Sequence, residues 1–160
     1  MKRKLAEPHQ GGKPQTPMET ALSEAQAAAM RGEVPVGAVI MDGQGEIIAR
    51  EGNRTRELND PSAHAEMLVI RAACEAARSE RLTGYSLYVT LEPCAMCAGA
   101  ISFARIAKLY FGAGDPKGGA VEHGVRFFES PTCHHAPEVY GGIDEVRAGE
   151  ILKSFFKERR

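Results

Sequence analysis

This sequence predicts an α/β protein, a three-layer α/β/α sandwich, on three observations. Short runs of apolar and β-branched residues alternate with longer runs of helical period, the pattern that places helices on both faces of a sheet. At 160 residues, 43% hydrophobic and 26% charged, the chain can bury roughly 70% of its unfolded surface around one core. Neither an internal repeat nor a change of composition divides it.

The elements follow in order. Residues 1–16, with Lys2, Arg3, Lys4 and Lys13 among Gly and Pro, show no apolar period and read as a mobile N-terminal tail, leaving 17–160 as a single domain. At the junction, Thr16-Pro17-Met18-Glu19 has the pattern of a capping box with proline at the first helical position. Met18, Ala21, Leu22, Ala25, Ala28 and Ala29 then recur at helical steps until Gly32. Val36–Met41 and Glu46–Ala49 flank Asp42-Gly43-Gln44-Gly45 and predict a hairpin. Asp60-Pro61-Ser62 supplies turn and capping chemistry for a helix that starts at His64 and continues through Met67, Leu68, Val69 and Ile70. A strand over Tyr85–Leu91, a helix from Cys94, a strand near Leu109–Phe111 and a weak strand near Val139 come next. The last element is a helix carrying Val146, Ile151, Leu152, Phe155 and Phe156.

Composition narrows the function. No apolar run approaches the roughly 20 residues of a membrane span, and the start of the chain lacks a signal-peptide stretch. Four cysteines suit a reducing cytoplasm better than a disulfide framework, so a cytoplasmic protein with no membrane association is expected. A net charge of −1 advertises no global attraction to nucleic acid, but Arg147–Arg160 sets five basic residues against two acidic ones.

The chemistry lies in His64-Ala65-Glu66 and, thirty positions on, Pro93-Cys94-Ala95-Met96-Cys97. Cys94 and Cys97 share a face at the start of a helix, where the dipole favours thiolates, the form that binds metal. Residues i and i+2 are roughly 200° apart around a helix, so His64 and Glu66 converge only if they stand at its first turn. One imidazole and two thiolates without a fourth ligand leave zinc an open position for water, which distinguishes a catalytic site from a structural one. Two thiolates also neutralise the ion. Its water is then less acidified than on a tris-histidine zinc, and a base is needed; Glu66 is that base. Alone, the C-x-x-C would equally suit a redox dithiol or structural zinc, and the His64 motif turns the reading toward catalysis. Cys74, among alanines, is expected in the core, Cys133-His134-His135 in a proline-flanked loop without a metal role, and His123 in a solvated loop.

The H-x-E and P-C-x-x-C pair resembles the signature of zinc nucleobase and nucleoside deaminases. The likeness extends through Glu33-Val34-Pro35-Val36-Gly37-Ala38, Gly52-Asn53, Asp60–Glu66, Leu87–Ile101, Phe111-Gly112-Ala113, Asp115-Pro116-Lys117 and Phe155-Phe156, and it resembles bacterial tRNA-specific adenosine deaminases from about Met18 to Arg160. Free-nucleoside cytidine deaminases usually carry Cys where this chain has His64. The resemblance implies a five-stranded mixed sheet of the cytidine deaminase-like fold, one zinc ion, a homodimer, and hydrolytic deamination of adenosine to inosine in the anticodon stem-loop of tRNA, at the wobble position. It also implies that Asn53 and the backbone N–H of Ala65 hold the flipped base. Asp115 and Lys117 would lie beside the entering RNA, and Phe156, Arg159 and Arg160 would contact the anticodon loop. Around Ala120–Phe128 the chain departs from the common Gly-Ser pattern of that family. A deaminase of a small base such as guanine or cytosine is the alternative enzyme, and a zinc-stapled RNA-binding module the alternative without catalysis.

Overall fold

The computed structural model describes residues 15–159. Most of the tail (residues 1–14) and Arg160 lie outside them. Helix α1 (Pro17–Met30) opens with the expected box: Glu19 N–H donates to Thr16 Oγ1 at 3.1 Å and Thr16 N–H to Glu19 Oε1 at 2.9 Å. After it come β1 (Gly37–Met41), β2 (Ile47–Gly52), α2 (Ala65–Ala77), β3 (Ser86–Leu91), α3 (Ala95–Phe103), β4 (Lys108–Ala113), β5 (Glu138–Tyr140) and α4 (Glu145–Glu158). β2 runs three residues beyond its expected end. It is an edge strand, so Arg50 and Glu51 can reach solvent without breaking the ladder.

The five strands form one sheet in the order β2-β1-β3-β4-β5, antiparallel from β2 to β3 and parallel from β3 to β5. Strand periodicity divides its side chains between two cores. Ala38, Ile40, Leu87, Val89, Leu109 and Phe111 pack with Val69, Ala73 and Ile101 of α2 and α3. On the other face, Val39, Tyr88 and Tyr110 meet Met18 and Leu22 of α1 and Ala148 of α4. These are the three layers the sequence predicts, with the five-stranded mixed sheet implied by the resemblance. Among the described residues, no helix is long and apolar enough to cross a membrane.

Register then places the site. Gly37 pairs with Gly52, Ala38 with Val89, and Leu91 with Ala113. The end of β2, the start of β1 and the ends of β3 and β4 therefore share one edge of the sheet, where ligands of open α/β sheets bind. Glycine is required at 37 because a Cβ there would stand 2.0 Å from the carbonyl oxygen of Ala21, so α1 lies directly on the backbone of β1.

Candidate metal centre and active site

At that edge two helix N-termini meet. His64 is the N-cap of α2 and Cys94 the N-cap of α3, both with extended backbone and neither capping its helix through its side chain. Pro93 therefore precedes the cap, two residues before the first helical position that helix-start statistics favour for proline, and Cys97 stands at the third helical position. The imidazole nitrogen and both sulfurs lie within 4.8 Å of one another, with His64 Nδ1 at 3.6 Å from Cys94 Sγ and 3.5 Å from Cys97 Sγ. A tetrahedral zinc with Zn–S of about 2.3 Å and Zn–N of about 2.05 Å requires N···S separations of about 3.6 Å. The donor set thus fits zinc in both chemistry and spacing. Among the described residues it is the only group of histidines, cysteines and carboxylates so arranged.

The electrostatics follow from crowding in a half-buried pocket. The Cys97 thiol and the His64 ring hold the Cys94 thiol down to about 4, against the effect of burial. Cys97, facing that thiolate, is pushed up, and the Cys94 partner raises His64. Before a metal arrives, Cys94 is the thiolate and Cys97 keeps its proton. Glu66, only 3% exposed, is pushed up to about 7 by burial, with its own backbone N–H and His64 opposing. A carboxyl so placed takes and returns a proton near neutral pH.

Asn53 is strapped in from three sides. Its N–H donates to the Val36 carbonyl at 3.1 Å, its carbonyl accepts from Arg31 Nη2 at 3.0 Å, and its Oδ1 accepts the Ala65 N–H at 2.8 Å. The Ala65 amide, expected to hold the base, is therefore already occupied. Because His64 does not cap α2, Asn53 satisfies the first orphan N–H of the helix from twelve residues away. This fixes the side-chain amide and leaves Nδ2 without a protein partner among the described residues, although Asn53 is only 8% exposed.

The outlying candidates are placed differently. Asp115 Oδ1 accepts the N–H groups of Lys117 at 3.1 Å and Gly118 at 3.0 Å, so its carboxylate shapes its own turn, while Lys117 stands exposed on it. Phe156 lies on α4 and Arg159 at its C-terminal cap, and this helix packs on the face of the sheet opposite α2 and α3. Phe156 is 47% exposed and Phe155 is buried, and the Arg159 guanidinium sits 3.8 Å over the Phe155 ring rather than standing free. Arg160 is outside the described residues. The loop carrying Cys133 and His135 is stapled to α3 and to the chain before β4: Ser102 Oγ of α3 donates to the His135 carbonyl at 2.6 Å, and His135 Nε2 to the Ile106 carbonyl at 2.7 Å. Cys74 packs partly buried against the core.

Two buried carboxylates were not read from the sequence as parts of the site. Glu33 accepts the N–H groups of Arg56 at 3.2 Å and Glu57 at 2.8 Å, fixing the turn that follows Asn53. Glu92 gathers the loop after β4, and His123, expected in solvent, instead bonds it through Nδ1 at 2.7 Å. A charged residue inside an otherwise apolar run was the one available signal, and it does not say which loop will be gathered.

Comparison with known proteins agrees with this geometry. Residues 12–113 match the cytidine and deoxycytidylate deaminase zinc-binding region. The tRNA-specific adenosine deaminase of Agrobacterium fabrum is 67% identical over 144 residues, covering 89% of this chain and 93% of the relative. A solved structure from studies of A-to-I editing by tRNA:A34 deaminases at the wobble position of transfer RNA superposes with a TM-score of 0.84 at 67% identity, over 85% of this chain and 98% of that one. The guanine deaminase of Nitrosomonas europaea shares the fold, with a TM-score of 0.76 at 20% identity over 87% of this chain and 82% of that one.

Proposed function

Since the chain belongs to the cytidine and deoxycytidylate deaminase zinc-binding family, in its bacterial tRNA-specific adenosine deaminase branch, we propose that it converts adenosine to inosine in tRNA by hydrolysis, at the wobble position of the anticodon. The observation that carries the reading is the triangle of His64 Nδ1, Cys94 Sγ and Cys97 Sγ with a buried Glu66 beside it. Three protein ligands leave one position for water. The 67% identity to a tRNA-specific adenosine deaminase supports adenosine over a small free base.

His64, Cys94 and Cys97 would hold the zinc, which when bound supplies the Lewis acidity that makes a water easier to deprotonate. The chain's own residues do the rest. Asn53, its Oδ1 committed to the Ala65 N–H, offers its unpartnered Nδ2 donor to the ring of the flipped base. Glu66 takes a proton from the attacking water and delivers it to N1 of the adenine, then takes the remaining proton from the hydroxyl now on C6 and gives it to the leaving amine as the C6–N bond breaks. Oxygen ends on C6, ammonia departs, and Glu66 returns to its starting state. Burial keeps its proton from exchanging with bulk water during these steps.

Exposed Lys117 on one rim and exposed Phe156 on α4 are the side chains offered to RNA phosphate and base. Met96 and Phe103, exposed on the outer face of α3, support assembly with a second copy. A tRNA substrate would place the enzyme in the cytoplasm.

The test compares substrates. Purified protein loaded with zinc is expected to release ammonia from an anticodon hairpin and to leave free adenosine, guanine and cytosine essentially untouched. Equal rates on a free base would overturn the tRNA reading. The two phenylalanines separate binding from folding. Phe156→Ala is expected to weaken hairpin binding by about 1–3 kcal/mol with an unchanged melting temperature. Phe155→Ala, which empties a buried site under Arg159, is expected to cost about 3 kcal/mol of stability, read by denaturant unfolding.

A further inference from the structure

Glu92 is the most heavily bonded side chain near the site, and none of its bonds goes to the metal ligands. Its side chain is 0% exposed. Oε1 accepts the Asp115 N–H at 2.9 Å and faces His123 Nδ1 at 2.7 Å. Oε2 accepts the successive N–H groups of Val121, Glu122 and His123 at 3.0, 2.8 and 3.0 Å. Three consecutive amides converging on one oxygen make a backbone nest, here filled by the protein's own anion. The imidazole must donate from Nδ1, because a carboxylate surrounded by donors has only lone pairs to offer.

The backbone closes the same knot. Glu92 N–H donates to the Ala113 carbonyl at 2.8 Å, and Ala120 N–H donates to the Pro93 carbonyl at 2.9 Å. The loop from Gly114 to Gly124 is thereby tied to the two residues that immediately precede the ligand Cys94. Its wrap is so close that a Cβ at Gly119 would come within 2.4 Å of the Glu92 carboxyl carbon. Carried on the loop are Asp115, which shapes the rim turn, and exposed Lys117.

We infer that Glu92 and His123 form a positioning pair that holds the 114–124 loop, and with it the Lys117 rim, in register with the Cys94 end of α3, so that His123 tunes how tightly the RNA strand is held rather than how fast the base reacts. The inference rests on the tRNA reading for what the rim contacts, but not for the loop being held. A loop tied to a buried anion is already in its bound shape. Binding then avoids the cost of ordering it, and loosening the tie raises KM before it lowers kcat.

The experiment uses the zinc-loaded full chain and three forms: wild type, His123→Ala, and His123→Asn, whose side-chain N–H can reach the same carboxylate. Losing one hydrogen bond to a charged group is expected to raise KM for an anticodon hairpin about tenfold in His123→Ala, with kcat within about twofold and zinc content unchanged. His123→Asn is expected to recover most of the loss. Hydrogen exchange at residues 119–123 should quicken about tenfold in His123→Ala while α2 and β1 keep their protection. If His123→Ala leaves both KM and loop exchange unchanged, or if its defect falls on kcat or on zinc content, the pair does not position the loop. If the wild type fails to deaminate the hairpin at all, the substrate reading falls, and the exchange comparison alone decides whether His123 holds the loop.

Discussion

Glu66→Gln is expected to retain zinc and to lose deamination by about 10⁴-fold, the upper end of what one proton carrier contributes. The size of the effect follows from a double role, since the same carboxyl must first accept and then give. Glutamine keeps the volume and the hydrogen bonds of this buried position but can do neither. At 3% exposure, bulk water cannot reach in as a replacement. The carboxyl lies outside the ligand triangle of His64, Cys94 and Cys97, so the metal should survive its neutralisation. Inosine formation in the hairpin reads the first outcome, and elemental analysis of the purified variant reads the second. A Glu66→Gln protein that still deaminates, or one that has lost its zinc, would sink the assignment.

His64→Ala is expected to lose metal and activity together. The two sulfurs that remain cannot hold the ion at the separation found here, because only the imidazole brings α2 to the same point as α3. The loss should also appear in stability. An ion bound only by the folded chain stabilises it by about 4 kcal/mol when free metal stands at a thousand times its dissociation constant. Zinc added to wild-type apoprotein should therefore raise the melting temperature by several degrees, and the same addition to His64→Ala should move it little. An unaltered thermal shift in the variant would mean that the histidine is not a ligand.

Much of this molecule was legible in one dimension because its determinants are local. The capping box at Thr16 needs only four residues, and the helical steps from Met18 to Ala29 need only one face of one helix. The metal triangle was legible for the same reason. Each half of it is a helix start, and the reach of His64 and of the cysteine pair is set by a single turn of chain. The five-stranded mixed sheet, by contrast, came through resemblance rather than through residue patterns, and the order of its strands came from the structure. Three details of the site were decided by the tertiary structure alone. The Ala65 N–H was spoken for by Asn53, whose Oδ1 lies 2.8 Å away because β2 ends beside the start of α2. Arg159, still exposed, was laid over the ring of Phe155, which the fold buries. His123 became a partner of Glu92, thirty-one positions distant, only once the parallel pairing of β3 and β4 laid the loop after β4 across the end of β3. Spacing along the chain determines which groups one helix turn can present, but a buried polar group takes its partner from whatever the sheet register brings within 3 Å, and that register is a property of the whole fold.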